Sequence, residues 1–372
     1  MKIRQLRLHH FRNIEFLDLN LNEGLNIFYG NNGQGKTNIV ESVYTLAKTQ
    51  SFRTHHYKEL IQHDQKQATI YCAFEKNKYL KTNTIVFNQL GKVCFLNQTK
   101  MKKISEYLGE LQAIDFTPED VILLKSSPKE RRHLLDVELS SLFPIYVQHL
   151  ILFQKLLEQR NALLKQPKTF DEALLKIIDV QLLESSFILY KRRQWLIDQI
   201  EKKATQIYQT ISGNQNQLTI RYKTFLEEDT KDNYIQKGME LFLKNLSKDQ
   251  EKTFTNLGVH KDDFVVYLDQ KEAELYASQG QQRGIMLAMK LAIFEIVAMT
   301  TKEEPILILD DVFSELDEQK CLQLLQYIAK KEQVLITCTH IPALFKQKLK
   351  ENLTLYHVKD GKVTERSLLN HG

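Results

Sequence analysis

The feature that most constrains the fold is a glycine-rich segment between an apolar strand and an apolar helix. LNIFYG at 25–30 is an apolar run that stops at a glycine, and from Thr37 apolar residues recur at helical spacing. Between them, GNNGQGKT at 30–37 matches the pattern G-x-x-x-x-G-K-[ST] at every fixed position. In this arrangement backbone N–H groups and a helix N-terminus surround a phosphate. The sequence therefore predicts an α/β domain that holds a nucleotide.

The residue types of this loop predict separate roles. Lys36 is expected to reach the β- and γ-phosphates, and the Thr37 hydroxyl to lie on a Mg²⁺ ion. The alternative, a glycine-rich turn with a surface lysine, is disfavoured by the strand before the loop and the helix after it. The residues predicted to contact the nucleotide here are Gly30, Asn31, Asn32, Gly33, Gln34, Gly35, Lys36, Thr37 and Asn38.

An apolar strand that ends in two carboxylates follows much later in the chain. PILILDD at 305–311 is typical of a buried strand, and it ends in Asp310 and Asp311. Beside a phosphate loop, Mg²⁺ needs a carboxylate oxygen, and we assign Asp310 this role. Asp311 then lies near the attacking water, as a base or an orienting group. A strand followed by an aspartate helix cap would look the same, but the phosphate loop favours the functional interpretation.

A second helix N-terminus is predicted at SQGQQR, residues 278–283, before an apolar helix that runs toward Met299. Ser278 and Gln281 have the S-x-x-[EQ] spacing of a capping box, which accounts for the segment structurally. With Gly280, the same geometry also makes an anion site. Because one nucleotide rarely needs two helix N-termini from one chain, we expect a partner chain to use this one.

Composition narrows the class of protein without identifying it. The 372 residues carry a net charge of +5, which is too weak to prove a nucleic-acid partner. Charges are scattered through the N-terminal segment and no run of about 18 apolar residues occurs, so neither a signal peptide nor a membrane-spanning helix is expected. The four cysteines form no CxxC pair. A reducing cytoplasm fits this composition best.

The middle of the chain is predicted to be helical and carries two basic runs. From about Pro118 to Ser212 the pattern is almost wholly helical. KSSPKERRH at 125–133 and YKRRQ at 190–194 concentrate positive charge. Such runs are mostly solvated helix faces, and this is the favoured interpretation. The alternative is contact with DNA phosphates, without sequence preference.

Four segments stand in the order found in ABC-type ATPases of the SMC class: the phosphate loop, SQGQQRG, ILILDDVFSELD and VLITCTH. Within that class the chain resembles the RecF family of bacterial recombination mediators over essentially its whole length, including FTPEDVILLKSSPKERRHLLD, QRNALLK and ASQGQQRGIMLAMKLA. The paired aspartates after ILIL are typical of that family. The resemblance implies an α/β fold, namely an ABC ATPase head with a mixed-sheet lobe I, a largely helical lobe II and no long coiled coil.

The resemblance also implies roles for particular residues. Ser278–Gln281 resembles the ABC signature, Ser314–Asp317 resembles the D-loop, and His340 lies at or near the switch histidine. The family usually shows Gly-Pro-His-Arg-Asp-Asp where this chain has GVHKDD, with Val259 and Lys261, and a lysine cannot reproduce a bidentate arginine contact. The implied catalytic residues are Asp311, Lys36, Ser278 and His340, the nucleotide contacts extend to Gly280 and Gln281, and the metal ligands are Thr37 and Asp310.

By resemblance, the chain is expected to be a cytoplasmic, weak, DNA-stimulated ATPase of recombinational repair and replication restart. ATP and Mg²⁺ would join two copies into a homodimer on single-stranded, gapped or double-stranded DNA. With RecO and RecR, the dimer would promote RecA loading. Lobe I is expected at residues 1–115 plus 300–372, and lobe II with the signature at 116–299. Glu119 and Asp120 would act like a Q-loop.

Two other classes of function stay open from the sequence alone. A small-molecule kinase or transporter-type enzyme would share the phosphate loop, but the SQGQQR segment and the lack of an expected membrane helix argue against it. A DNA clamp that binds ATP and barely hydrolyses it is kept open by Asp311, because most ABC ATPases have a glutamate there. Hydrolysis measurements and ATP-dependent dimerisation distinguish these classes.

Overall fold

The computed structural model describes residues 1–165, 171–314, 316–341 and 353–368. Short 3₁₀ turns accompany the longer elements at Tyr57–Leu60, Pro118–Lys125, Val259–Lys261 and Val312–Ser314. The elements up to Phe116 are β1 (Lys2–Phe11), β2 (Ile14–Asn20), β3 (Gly24–Tyr29), α1 (Lys36–Lys48), β4 (Gln67–Lys76), β5 (Tyr79–Asn88), β6 (Gly91–Leu96), β7 (Thr99–Lys100), α2 (Ile104–Tyr107) and β8 (Ala113–Phe116). The later elements are α3 (Pro128–Leu142), α4 (Pro144–Leu164), α5 (Glu172–Ser212), β9 (Leu218–Lys223), α6 (Lys231–Lys252), β10 (Asp263–Leu268), β11 (Lys271–Glu272), α7 (Ala273–Tyr276), α8 (Gln279–Thr301), β12 (Ile306–Asp310), α9 (Glu318–Ile328), β13 (Gln333–Cys338), β14 (Leu353–Lys359) and β15 (Lys362–Leu368).

The chain packs into two compact units. Helix α8 belongs to unit 1, because it packs on strand β8 of the same unit. The lobe boundaries expected near residues 115 and 300 stay a prediction. Unit 1 comprises Met1–Ile122, Lys203–Gln217 and Ser278–Gly372, and unit 2 comprises Leu123–Lys202 and Leu218–Ala277.

A six-stranded sheet, sheet B, places the phosphate loop in unit 1. Its order is β15-β14-β3-β13-β12-β8, and all neighbours are parallel except β14 and β15. Strand β3 comes from the N-terminal part of the chain and lies between β13 and β14, with Ile27 opposite Ile336 on one side and Leu355 on the other. Strands from both ends of the chain therefore share one sheet, as a single lobe formed from the two ends requires. Ligands of such sheets bind outside the carboxyl ends of the strands.

A second six-stranded sheet, sheet A, covers the other side of helix α1. Its order is β2-β1-β4-β5-β6-β7, antiparallel throughout. Alternate residues of its strands point inward, so that Leu6, Ile70 and Ile85 are fully buried. They join Val43 of α1 and Ile308 of β12 in one hydrophobic cluster. This cluster fixes α1, and with it the phosphate loop, between the two sheets.

Unit 2 is mostly helical, as the sequence predicts for its first half. Helices α3, α4 and α5 confirm the helical pattern, and strand β9 follows them. Helix α6 and strand β10 were not predicted. The three strands of unit 2 form an antiparallel sheet in the order β11-β10-β9.

The two basic runs lie mainly within the packing of unit 2. Arg131 donates two hydrogen bonds of 2.7 Å to the carboxylate of Asp263. Arg193 is 3% exposed, and it donates to Asp136 at 2.9 Å and to the Val259 carbonyl at 2.7 Å. Arg131 and Arg193 are therefore not part of a solvated helix face, which was the favoured interpretation of the runs, because both are buried in ion pairs. Much of their charge neutralises carboxylates of the GVHKDD segment and of α3.

Helix α8 is long and apolar enough to cross a membrane by length and composition alone. No other helix of the described ranges passes this test. Of its most apolar window, 72% is buried inside the structure. Burial of this extent is what the core helix of a soluble protein shows, so the helix is explained by its packing in unit 1.

Candidate functional site

The loop between β3 and α1 has the backbone geometry that its glycines predict. Gly30, Gly33 and Gly35 have φ values of 144°, 78° and 104°, which favour glycine. At Gly30 a Cβ atom would fall 2.4 Å from the carbonyl oxygen of Val358, so the loop also needs the missing side chain. The loop opens on a cleft of about 730 Å³. The cleft is lined by Arg12, Asn13, Asn32, Gly33, Gly35, Lys36, Thr37, Asn38, Arg53, Glu59, Ile61, Gln62, His63, Asp311 and Thr337.

Lys36 is buried at the centre of the loop. Its Nζ donates to the carbonyl oxygens of Gly30 at 2.7 Å and Asn31 at 2.8 Å. Burial lowers the pKa of Lys36, while the nearby carboxylates of Asp311 and Asp310 oppose this shift. The ammonium is therefore held by carbonyl oxygens of the loop, and Lys36 lines the cleft that a phosphate would enter.

The two predicted metal ligands lie in contact. The Thr37 hydroxyl donates to Oδ1 of Asp310 at 2.9 Å, although the residues are far apart in the sequence. Thr337 of β13 donates to the same oxygen at 2.5 Å. Burial raises the pKa of Asp310, and the two hydroxyls oppose the shift. The strand order brings this about, because β12 and β13 are neighbours that end at the same edge of sheet B.

The Thr37 hydroxyl oxygen and Oδ1 of Asp310 suit a magnesium ion. No group of three or more His, Cys, Asp or Glu side chains in the described ranges could hold a metal by itself. Mg²⁺ commonly takes only one or two protein oxygens and completes its shell with phosphate and water. Oδ1 of Asp311 is buried and has no hydrogen-bond partner within the described part of the chain, which leaves one more oxygen facing this region.

Asp311 stands at the cleft in an unusual backbone conformation. Its φ is 50°, in the left-handed region that non-glycine residues seldom occupy. Its N–H donates to the Thr337 hydroxyl at 2.9 Å, and its carbonyl accepts from the Ser314 hydroxyl at 2.8 Å. Strain of this kind persists where surrounding contacts impose it, and it is common at functional sites. The turn directs the Asp311 carboxylate to the cleft that Lys36 and Thr37 also line.

Ser278 is the N-cap of α8, and its capping box is confirmed. Its hydroxyl accepts from the Gln281 N–H at 3.3 Å, and the Gln281 side chain accepts from the Ser278 N–H at 2.8 Å. Ser278 and Gly280 are exposed, and a Cβ atom on Gly280 would meet open space. None of these residues lines the cleft of the same chain. The helix N-terminus is therefore open to an outside group, and its anion-binding role stays a prediction.

The remaining predicted residues lie near the same end of sheet B. His340 is exposed two residues beyond the end of β13, and it is not among the residues that line the cleft. Ser314 is exposed, and Asp317 caps α9 by accepting from the Lys320 N–H at 2.9 Å. Glu315 of the expected D-loop lies outside the described residues. The roles of His340 and of the D-loop stay predictions.

Two arginines of the cleft were missed by the sequence analysis. Arg12 makes a bidentate ion pair with the fully buried Glu41, at 2.6 and 3.0 Å. Arg53 donates to the side-chain oxygen of Asn38 at 2.9 Å and lies 3.6 Å from Glu41. They stand on two different loops, and only the fold brings them together. Arg12 lies in the turn after β1, and this position was the available sequence signal. Its separation from the phosphate loop in the sequence gave no indication that the two are close in the fold.

The last hairpin braces the phosphate loop from its other side. The N–H groups of Asp360 and Gly361 donate to the Gln34 side chain at 2.8 Å and to its carbonyl at 2.9 Å. Gly361 has a φ of 74°, and a Cβ atom there would fall 2.8 Å from the Asn13 carbonyl oxygen. Gln34 therefore binds a turn rather than lining the cleft.

Comparison with known proteins agrees with this geometry. The model of the RecF/RecN/SMC N-terminal domain family matches residues 2–364. The DNA replication and repair protein RecF of Streptococcus suis is 38% identical over 365 residues, which cover 98% of this chain and 100% of that protein. RecF of Enterococcus faecalis is 37% identical over 375 residues, covering 99% of this chain and 100% of that protein.

Solved structures give the same result. A structure titled as the recombination mediator protein RecF with ATP in the RecFOR pathway matches with a TM-score of 0.89 and 29% identity, covering 99% of this chain and 97% of that one. The Smc head domain of Pyrococcus furiosus matches with a TM-score of 0.56 and 14% identity, which shows the fold alone, over 99% of this chain and 96% of that one. The chain has the ABC ATPase head fold expected from its motifs, and it belongs to the RecF family of the RecF/RecN/SMC class.

Proposed function

We propose that this chain is an ATP-dependent DNA-binding protein of recombinational repair and replication restart. ATP joins two copies into a dimer that binds DNA, and slow hydrolysis opens it. The names of the relatives, DNA replication and repair protein and recombination mediator in the RecFOR pathway, support this assignment. By the same resemblance the protein acts in the cytoplasm, and with RecO and RecR it promotes RecA loading.

One observation carries the proposal: the cleft at the predicted phosphate loop and the open N-terminus of α8 are separate in one chain. Lys36, Thr37 and Asp311 line the cleft, while Ser278 is exposed elsewhere on the same unit. An exposed N-terminus with a serine and a glycine suits a γ-phosphate oxygen. A second copy supplies this group if the two chains face each other with the nucleotides between them.

The residues of the cleft divide the work of hydrolysis. Lys36 neutralises the β- and γ-phosphates, and Thr37 with Asp310 holds Mg²⁺, which screens phosphate charge when bound. Asp311 orients the attacking water and accepts its proton. Ser278 of the second copy binds the γ-phosphate, and His340 stands at the same edge of the sheet. When the γ-phosphate leaves, the contact that joined the two chains is lost, and the dimer opens.

A mixed-dimer experiment tests the proposal. Chains with Lys36→Arg are combined with chains with Ser278→Arg, and ATP hydrolysis and ATP-dependent dimerisation are measured for each variant and for the mixture. In a mixed dimer both defects fall in one composite site, and the other site is intact. The mixture is therefore expected to recover part of the wild-type hydrolysis rate that neither variant shows alone.

Thr230→Arg is the matched control, because Thr230 is also the N-cap of a long helix, α6. Loss of either cap costs roughly 1 kcal/mol of stability. The control should keep ATP-dependent dimerisation, whereas Ser278→Arg should abolish it. A mixture no more active than its separate components would remove the basis for a site shared between two chains.

A clamp with negligible turnover is the second candidate. It is favoured by Asp311, which stands where a longer glutamate is usual and has a strained backbone. Single-turnover hydrolysis distinguishes the two candidates. A wild-type rate no faster than that of Lys36→Arg, with ATP-dependent dimerisation retained, would establish the clamp.

A further inference from the structure

The hairpins of sheet A collect lysines that are scattered in the sequence. The turn between β4 and β5 and the turn between β6 and β7 lie at the same end of the sheet, because the strands are antiparallel. Thr82 and Asn97 join them, with hydrogen bonds of 2.8 and 2.9 Å. Lys78 lies in the first turn, and Lys100 follows the second turn, where it pairs with Phe95. Lys102 and Lys103 lie farther along the segment that follows β7. We call these four exposed lysines the lysine rim.

The lysine rim has an excess of positive charge. No ion pair holds any of its four lysines within the described ranges, whereas most nearby carboxylates are already paired. Glu110 lies 2.7 Å from Lys81 and 3.6 Å from Lys76. Glu75 is bound by Arg4, and the N-terminal ammonium binds Glu303 and Glu332. Helix α2, next to the rim, contributes one exposed carboxylate, that of Glu106.

Two large apolar side chains stand beside these charges. Tyr79 is 74% exposed and Leu80 is 68% exposed, directly after Lys78. The two side chains are adjacent, so they add apolar surface at the tip of the hairpin beside Lys78. Positive charges around an exposed aromatic ring are the combination that binds nucleic acid strands, since phosphates contact the charges and bases stack on the ring.

We propose that the lysine rim, with Tyr79, binds the DNA backbone and an unpaired base at a gap. This inference rests on the proposed DNA-binding function and names the surface that performs it. The basic runs of unit 2 are poorer candidates, because Arg131 and Arg193 are buried in ion pairs. The rim is on unit 1, which also carries the phosphate loop.

The test uses the full chain with ATP and Mg²⁺, fluorescein-labelled oligothymidine, gapped duplex and blunt duplex. Lys100, Lys102 and Lys103 are replaced together by glutamine, and fluorescence anisotropy gives the dissociation constant from about 50 to 200 mM salt. The triple variant should lose at least about tenfold in affinity, and the slope of log affinity against log salt should fall by about two to three. The triple variant should lose affinity for oligothymidine, gapped duplex and blunt duplex alike.

A second triple variant controls for the change in net charge. Lys244, Lys248 and Lys252 are exposed on α6 of unit 2, and replacing them by glutamine removes the same charge elsewhere. This control should bind DNA as the wild type does. Tyr79→Ala should weaken binding of oligothymidine and gapped duplex by about tenfold but leave blunt duplex unchanged, and Tyr79→Phe should restore binding.

The outcomes separate this inference from the function on which it rests. If the wild type binds none of the DNAs with ATP, the proposed function fails. If the wild type and the control variant bind, and the rim variant binds equally well with the same salt dependence, the rim inference is overturned, even if the rim then proves to contact an acidic protein.

Discussion

At the scale of single residues, the backbone of the site is constrained at a few positions. The Gly30 backbone approaches Val358 too closely for a side chain, and Asp311 is held in a left-handed conformation. Both positions were recognised in the sequence from their residue types. Neither the close approach nor the strain could be predicted, because each depends on strands that are distant in the chain.

The role of Asp311 is tested by Asp311→Asn. Asparagine tolerates a positive φ, so the turn should keep its shape, but the amide cannot accept the proton of the attacking water. ATP binding should be retained, and single-turnover hydrolysis should fall by roughly 10²- to 10⁴-fold. Equal rates for wild type and variant would exclude Asp311 from the mechanism.

Alanine at two glycine positions should affect stability differently. Gly30→Ala places a Cβ atom 2.4 Å from a carbonyl oxygen at a φ of 144°, so thermal stability and ATP binding should both fall. Gly280→Ala lies in open space within the first turn of α8, so stability should be unchanged or slightly higher. Its ATP-dependent dimerisation should be weaker. Calorimetry and sizing with ATP check the pair, and normal dimerisation of Gly280→Ala would argue against an anion site there.

At the scale of elements, a buried ion cluster joins α8 to strand β8 and to the segment that follows it. Lys290 of α8 lies 3.0 Å from Asp115 and 2.8 Å from Asp120. Burial raises the pKa of Asp120 to about 6, although Lys290 opposes the shift. The helix that begins at Ser278 is thereby connected to the segment expected to act as a Q-loop.

The raised pKa of Asp120 predicts a pH-dependent stability. Between its unfolded pKa near 3.8 and its folded pKa of about 6, the folded state binds more protons than the unfolded state. The contribution of Asp120 to stability is therefore greatest at low pH and falls as the pH rises through this window. Asp120→Asn removes this titration, so the unfolding free energy of the variant relative to wild type should rise up to about pH 6 and then level off.

Denaturant unfolding from pH 5 to 7 measures this difference. Asp18→Asn on sheet A serves as a control, since Asp18 is partly exposed in its ion pair with Arg7. A difference between Asp120→Asn and wild type that does not change with pH would show that Asp120 is ionised throughout.

The elements that the sequence predicted share a local signal. The phosphate loop, α1, α8 and strands β3, β12 and β13 each have an apolar run with a clear start or stop. Strand β8 has only four residues, which explains why it was missed. Strand β10 and helix α6 were also not predicted, although α6 is long and amphipathic. Arg12 and Arg53 were missed because their position at the cleft follows from tertiary structure. The residue types of a loop and their spacing in the sequence indicate its chemistry. They do not indicate which distant loops pack against it.

At the scale of the whole molecule, sheet B is assembled from both ends of the chain. The order of its strands could not be predicted, although the need for one common sheet could. Strand β14 pairs with β3, with Tyr29 opposite His357, and the following turn binds Gln34. The geometry of the phosphate loop therefore depends on the last described hairpin.

This dependence predicts the effect of truncation. A chain that ends at residue 341 lacks β14 and β15, so β3 loses one neighbour and Gln34 loses its turn. We expect it to bind no ATP in equilibrium dialysis, whereas the full chain binds. Circular dichroism should show that the helices of unit 2 remain, because unit 2 has its own core. ATP binding by the truncated chain would show that the hairpin is not required.

The placement of β3 between β13 and β14 also has a consequence during synthesis on the ribosome. The phosphate loop is made early, at residues 30–37, but both neighbours of β3 are complete only near residue 359. At about 5–20 residues per second, the nascent chain waits roughly 15 to 70 s before the loop can take its final shape. Until residue 338 is made β3 has neither of its partner strands, and until residue 359 it lacks β14. The nascent chain should therefore depend on chaperones, and it cannot engage ATP before β14 has been made.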